Sequence, residues 1–161
     1  YGGTDIDEIN TSDLLDNVTM VSQTTYLFDE TIEENLRIAK PVASMEEIEN
    51  ACRMASVHDF IMSLPDGYKT RTGAQGDNLS TGEKQRIGLA RAFLRGSRVI
   101  LLDEPTSNVD SINEGIILKA LREQKRDKGM ILVSHRESTM AAADRVYRAE
   151  GGKLYECTAE A

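Results

Sequence analysis

The sequence predicts an α/β fold in which a parallel sheet layer carries an inserted helical subdomain. Two short apolar runs, residues 98–102 and 130–133, have the composition of parallel strands that are buried on both faces. A helix-forming segment, residues 111–127, lies between them, so strand, helix and strand alternate. Residues 31–96 are mostly helical in composition, which indicates a subdomain of their own.

The start of the chain predicts one strand followed by helices. Residues 17–21 have the composition of a short strand that a polar Ser-Gln pair ends. Residues 31–38 have a helical composition. Ser44 and Glu47 match a capping box, in which each side chain accepts a hydrogen bond from the other residue's backbone. We therefore expect a second helix to begin at Ser44.

A turn-rich loop and a long helix complete the helical segment. Residues 65–78 begin with the turn signal Pro-Asp-Gly. Ser80 and Glu83 match a second capping box, and Gly96 is a typical residue just beyond a helix end. The sequence therefore predicts a helix over residues 80–94.

The C-terminal segments continue the α/β pattern. Ser111 and Glu114 match a capping box at the start of the helix that lies between the two apolar strands. A short helix is expected over residues 137–143. Residues 145–149 and 153–155 have strand composition and are joined by two glycines, which predicts a hairpin.

Composition excludes some classes of function. The net charge of −8 disfavours a broad basic surface, and therefore a nucleic-acid partner. The longest aliphatic runs, residues 99–102 and 130–133, are far shorter than the ~18 residues of a membrane span, so a membrane role would come through a partner. Cys52 and Cys157 lack the spacing of metal ligands, and we expect both thiols to be inert.

Two adjacent carboxylates follow the first apolar run. Asp103 and Glu104 are expected at the carboxyl edge of the sheet, where open α/β sheets bind ligands. One carboxylate could hold Mg²⁺, and the next, which points the other way, could polarise a water molecule. The pair alone is equally compatible with a polar strand end that has no chemical role.

The segment of residues 79–86, Leu-Ser-Thr-Gly-Glu-Lys-Gln-Arg, opens the long helix. Its capping box explains Ser80 and Glu83, but it does not explain Gly82 in the first turn, where Gly costs about 1 kcal/mol relative to Ala. Close approach of an anion to the bare backbone would explain that glycine. Free backbone N–H groups together with a serine hydroxyl predict a phosphate site.

These segments resemble the motifs of the ATP-binding cassette (ABC) family, in the family's order. Residues 79–86 are similar to the signature motif, and residues 99–104 resemble the Walker B strand with its catalytic glutamate. The Q-loop, the D-loop and the switch histidine are matched by residues 21–23, 107–110 and 133–135. The resemblance covers essentially the whole chain and implies a partial P-loop NTPase (RecA-like) sheet layer.

The resemblance implies a role for each matching residue, with ATP as substrate and Mg²⁺ as cofactor. Asp103 and Gln23 would hold Mg²⁺, Glu104 would act as general base, and His135 would contact the γ-phosphate and the attacking water. Asp110 would communicate across a head-to-tail dimer. The residues that would act on ATP held by the second cassette are Ser80, Thr81, Gly82 and Glu83.

The resemblance also implies domains, partners and location. Residues 1–30 and 97–161 would form the catalytic α/β core, and residues 31–96 the helical subdomain that ends in the signature helix. Residues 27–35 are similar to the exporter segment that docks on membrane-domain coupling helices. We expect a second cassette and transmembrane domains as partners, no nucleic acid, and a place at the cytoplasmic face of the cell membrane. The implied function is ATP hydrolysis coupled to export of a solute.

The chain departs from the family pattern at several points. The phosphate-binding motif G-x-x-x-x-G-K-[ST] does not occur, because Leu154 follows the one Gly-Lys pair. Since the family places this loop upstream of a segment similar to residues 3–6, we expect a chain truncated before the loop and inactive alone. Thr81 and Glu83 replace the usual Gly and Gln of the signature, and Ala74 replaces a glutamate common in exporters.

Three alternatives remain open at this point. A DNA-repair or chromosome-organising ABC ATPase would share the signature, but the acidic charge and the lack of a sustained heptad pattern oppose it. The chain could also be a degenerate nucleotide-binding subunit of a heterodimeric transporter. Glu104 and His135 argue against decay of this subunit's own site, whereas Thr81, which replaces the usual Gly of the signature, leaves decay of the opposite site open. An α/β protein that uses these motifs only structurally would require the ordered set to arise by chance.

Overall fold

A three-stranded parallel sheet forms the centre of the fold. The computed structural model describes residues 2–125 and 128–157. The strands are β1 (Val18–Val21), β2 (Val99–Asp103) and β3 (Gly129–Val133), and β2 lies between the other two. An antiparallel hairpin follows, formed by β4 (Val146–Glu150) and β5 (Lys153–Cys157). The predicted α/β class with a parallel layer is confirmed.

The described part of the chain contains seven α-helices, four of which lie between β1 and β2 in the sequence. They are α1 (Thr11–Asn17), α2 (Ile32–Arg37), α3 (Met45–Met54), α4 (His58–Ser63), α5 (Thr81–Arg95), α6 (Ser111–Gln124) and α7 (Glu137–Met140). The capping boxes at Ser44 and Ser80 are present, and Gly96 ends α5 with a φ of 78°. Within residues 2–125 and 128–157, no helix has both the length and the apolar character that crossing a bilayer requires.

The core lies on one side of the sheet. Ile100 and Leu102 are buried there together with apolar side chains of α5 and α6. The opposite side is open in the described part of the chain, since Met20, Ile131 and Val133 are 58–61% exposed. The prediction that the strands are buried on both faces is therefore wrong for β3, because no described helix packs on that side.

The start of α6 also differs from the prediction. The cap is Asp110, whose Oδ1 accepts hydrogen bonds from the backbone N–H groups of Ile112 and Asn113 at 2.9 and 3.0 Å. Ser111 is thus already helical. Glu114 does not complete a capping box, because its carboxylate accepts hydrogen bonds from Arg136 and Ser138. A carboxylate one position earlier takes the capping role because it can accept from both amides. The predicted end of this helix at residue 127 lies outside the described residues.

Two residues without a predicted role lie in the core of the helical segment. His58 begins α4 and is buried, with its Nδ1 2.9 Å from the hydroxyl oxygen of Tyr68. Cys52 is fully buried, and burial raises the pKa of its thiol to about 11, which favours an inert thiol.

Candidate functional site

The carboxyl ends of the three parallel strands bring separate motif segments to one edge of the sheet. Gln23 follows β1 by two residues, Asp103 is the last residue of β2, and His135 follows β3 by two residues. The register places Asp103 opposite Val133. Because the strands are parallel and adjacent, these predicted site residues lie at the same edge.

Glu104 has an unusual backbone conformation. Its φ is 47°, a left-handed value that is uncommon for residues other than Gly and costs roughly 1 kcal/mol or more. Hydrogen bonds fix the backbone N–H and the carbonyl of Glu104. The N–H donates to the carbonyl of Val133 at 2.9 Å, and the carbonyl accepts from both the backbone N–H and the hydroxyl of Ser107. The side chain of Glu104 therefore leaves the strand in a fixed direction.

The side chain of Glu104 meets His135. Its Oε1 lies 2.7 Å from Nδ1 of His135, and the Glu104 side chain is 18% exposed, whereas that of His135 is 79% exposed. The second oxygen, Oε2, is buried and has no hydrogen-bond partner among the described residues. An unpaired buried carboxylate oxygen is costly, so a hydrogen-bond donor that reached this atom would stabilise it.

The donor atoms at this edge suit a small hard cation. Asp103 and Glu104 present carboxylate oxygens, and Gln23 is exposed just after the neighbouring strand. In the described part of the chain, no cluster of three or more metal-binding side chains occurs. Mg²⁺ is usually held by one or two carboxylates, with water and phosphate oxygens completing its shell, so this sparse set of oxygen donors fits Mg²⁺.

The start of α5 has the capping geometry that the sequence predicts. The Ser80 hydroxyl accepts from the backbone N–H of Glu83 at 3.3 Å, and the Glu83 carboxylate accepts from the backbone N–H of Ser80 at 2.7 Å. The carboxylate of Glu83 is thus engaged within the helix, while the hydroxyl hydrogen of Ser80 can still be donated. Thr81 is exposed and lines an open cleft together with Gln23.

Gly82 is explained by packing, which corrects the argument from anion approach. A Cβ atom at Gly82 would lie 2.5 Å from Cγ of Asn113, in the first turn of α6. The Asn113 side chain would have to move to admit a Cβ atom, so glycine suits this close contact between α5 and α6, by which Gly82 is buried. The role of Gly82 in phosphate binding stays a prediction, because the glycine alone does not indicate a phosphate site.

Asn113 connects the start of α5 to Asp110. Its Oδ1 accepts a hydrogen bond from the guanidinium of Arg86, a buried residue of α5, and its Nδ2 donates to Oδ2 of Asp110 at 2.5 Å. Hydrogen bonds from the backbone and side-chain N–H groups of Asn113 hold the pKa of Asp110 below its ordinary value. The signature segment and the D-loop aspartate are therefore joined through one side chain.

Gln85 is a site-supporting residue that the sequence analysis missed. It is buried in α5, accepts from the Thr25 hydroxyl at 2.7 Å, and donates to the carbonyls of Ser22 and Gln23 at 3.3 Å each. These contacts attach the loop that carries Gln23 to α5. The sequence contains a signal for this role: Gln85 lies four residues before Leu89, so a polar side chain occupies the apolar face of the helix.

Comparison with known proteins identifies the family. The family model described as ABC transporter matches residues 1–107. A Haemophilus influenzae protein named as an ABC transporter ATP-binding/permease protein is 56% identical over 152 residues, which are 94% of this chain and 28% of that protein. YgaD of Bacillus subtilis is 45% identical to this chain over 96% of the chain and 27% of YgaD. Its name describes it as a multidrug export ATP-binding/permease protein.

A solved structure gives the same result. A bacterial Atm1-family ABC exporter with ATP bound matches with a TM-score of 0.86 and 35% identity, over 95% of this chain and 27% of the exporter chain. The chain thus spans between a quarter and a third of the length of these relatives. Since the family model covers more than half of the chain, and the fold matches an exporter closely, the chain belongs to the ABC transporter family.

Proposed function

We propose that the intact protein is an ABC exporter and that this chain carries its hydrolytic carboxylate, Glu104. The contact of 2.7 Å between Glu104 and His135 is the observation that supports this role most directly. The exporter with ATP bound, whose structure matches this chain, supports ATP as the substrate. In this proposal residues 1–30 and 97–161 belong to the catalytic core and residues 31–96 form the helical subdomain.

The proposed chemistry is attack of water on the γ-phosphate of ATP. The carboxylate of Glu104 accepts a proton as the water oxygen bonds to phosphorus, and the bond to the β–γ bridging oxygen breaks to release ADP. His135 fixes Oε1 and contacts the γ-phosphate. When bound at Asp103 and Gln23, Mg²⁺ would neutralise charge on the phosphate oxygens.

A second cassette would complete the site. Ser80, Thr81, Gly82 and Glu83 lie at the N-terminus of a 15-residue helix, where backbone N–H groups and the helix dipole favour an anion. In a head-to-tail dimer this helix start would face the ATP held by the partner cassette, and Asp110 would lie near the interface. The attachment of Asp110 to α5 through Asn113 supports a joint response of the two segments.

Transmembrane domains are the proposed second partner, reached from the cytoplasmic face of the membrane. Two relatives are named as ATP-binding/permease proteins, which supports an attached membrane domain. Tyr26 and Phe28 are about half exposed and pack edge to face with ring centroids 5.0 Å apart. We propose that this aromatic pair contributes to the surface on which a membrane-domain segment docks.

Replacement of the proposed base tests the function. In the full-length protein, Glu104→Gln should lower ATP turnover on the order of 10²- to 10⁴-fold while ATP binding is retained, because only the proton acceptor is lost. Phosphate release and equilibrium binding of ATP would be measured on the same sample. Glu123→Gln, at an exposed position of α6, is the matched control and should be neutral. Normal turnover by Glu104→Gln would contradict the proposal.

A further inference from the structure

Glu114 is a partly buried carboxylate on α6 that the proposed chemistry does not use. Its side chain is 14% exposed, and it holds two residues from the segment that follows His135. Oε2 accepts from Nη1 of Arg136 at 2.7 Å, and Oε1 accepts from the hydroxyl of Ser138. Both partners are more than 20 residues away in the chain, so Glu114 fixes the post-β3 segment to α6.

Arg136 extends this contact to the segment that follows Glu104. Its Nη1 also donates to the carbonyl of Thr106 at 2.9 Å. The hydroxyl of Thr106 lies 3.2 Å from that of Thr139, and both threonines are buried. Two independent contacts therefore join the segment after Glu104 to the segment after His135, in addition to the backbone bond from Glu104 to Val133.

The position of His135 depends on these contacts. Its side chain is 79% exposed, so surrounding side chains do not confine the ring, and its place is set by its backbone and by Glu104. Arg136 is the next residue, and its guanidinium is fixed by Glu114 and Thr106. Displacement of Arg136 would shift the His135 backbone and lengthen the contact of 2.7 Å with Glu104.

We propose that Glu114 and Arg136 are positioning residues for hydrolysis, which hold His135 at hydrogen-bonding distance from Glu104, so that the Glu104 carboxylate stays oriented as the proton acceptor for water. The inference rests on the proposed function of that pair. Neither residue touches the proposed reacting atoms, so their loss should change the rate of the chemical step and leave ATP binding intact. Misplacement of a catalytic group by about 1 Å can cost on the order of a hundredfold in rate.

The test uses ATP turnover by the full-length protein. Glu114→Ala and Arg136→Ala should each lower kcat on the order of 10- to 100-fold with KM changed less than about threefold. Glu114→Gln should recover part of the rate, because its amide oxygen can still accept from Arg136. Glu123→Ala, at an exposed position of the same helix, is the control and should keep normal kcat.

A double variant tests whether the two residues act together. The double variant Glu114→Ala with Arg136→Ala should be no more than about threefold slower than the slower single variant, because each single substitution already breaks the same ion pair. Losses that multiply, a normal kcat for Glu114→Ala, or a loss confined to KM would overturn the inference. If the alanine variants do not fold, kcat and KM are measured for Glu114→Gln and Arg136→Lys instead. A lower kcat with KM nearly unchanged supports the inference, and a normal kcat or a change in KM alone contradicts it.

The outcome for Glu104→Gln separates this inference from the proposed function. An inactive Glu104→Gln protein together with normal turnover by the Glu114 variants would reject the positioning role alone. An active Glu104→Gln protein would reject the proposed base itself, whatever the Glu114 variants do.

Discussion

Nδ1 of His135 lies 2.7 Å from Oε1 of Glu104, so these residues, 31 positions apart in the chain, form one hydrogen-bonded unit. We expect His135→Ala to lower ATP turnover on the order of a hundredfold. Added to Glu104→Gln, it should cost little more, because residues that act as one unit give non-additive losses. Phosphate release by the two single variants and the double variant measures this, and losses that multiply would show independent roles.

Two glycines on neighbouring helices should respond oppositely to alanine. Gly82→Ala should destabilise the protein by about 1–3 kcal/mol, because its Cβ would meet the Asn113 side chain at 2.5 Å. Gly115→Ala should stabilise it by about 0.5–1 kcal/mol, because Gly115 is helical and, apart from its chain neighbours and the adjacent backbone of α6, no atom lies within 4 Å of the added methyl group. Urea unfolding of the two variants gives both free energies, and equal effects would contradict the packing explanation of Gly82.

The cap of α6 predicts a pH-dependent difference between neighbouring residues. Asp110→Ala should lower the urea midpoint more than Ser111→Ala, because Asp110 accepts from the first-turn amides. Its pKa is lowered in the folded protein, so the ionised cap stabilises the fold above the ordinary value of 3.8. That contribution is lost as the pH falls through the lowered pKa. The difference between Asp110→Ala and the unsubstituted protein should therefore shrink in acid, and a larger effect of Ser111→Ala would refute the assignment.

The two cysteines should differ in reactivity, so the expectation that both thiols are inert is kept only for Cys52. Burial raises the pKa of Cys52 to about 11, so its thiol is protonated at neutral pH and shielded from reagents. Iodoacetamide at pH 7.5 should label exposed Cys157 in the native protein and Cys52 only after denaturation in urea. Peptide mass spectrometry would locate the label. Equal labelling of both residues without urea would show that Cys52 is accessible.

Features that depend on nearby residues were predicted well from the sequence. The capping boxes at Ser44 and Ser80 each join residues three positions apart, and the Gly151-Gly152 turn sets its hairpin locally. The box predicted at Ser111 was wrong because Asp110, one residue earlier, is a better acceptor for the first-turn amides. Local patterns indicate that a helix begins, but they do not decide between two adjacent caps.

Features that depend on distant residues could not be predicted from local patterns. The sequence predicts a capping role for Glu114, whereas its partners, Arg136 and Ser138, lie 22 and 24 residues further along the chain. The sequence alone suggests an anion next to Gly82, whereas in the structure this glycine accommodates Asn113, 31 residues away in sequence. Such pairs meet only because α6 crosses near both segments. The motif positions could be found by resemblance, but the contacts that hold them required the fold.

The length of α5 has a mechanical consequence. Its 15 residues form a rod of about 22 Å. At one end are the residues proposed to meet ATP, and at the other Arg95 donates to the carbonyl of Leu15 at 2.9 Å. A helix that is packed along its length moves as a whole, so a tilt of about 5° at the nucleotide end displaces the far end by about 2 Å. Movement at Ser80 would therefore displace the contact between α5 and α1 at the opposite end of the helix.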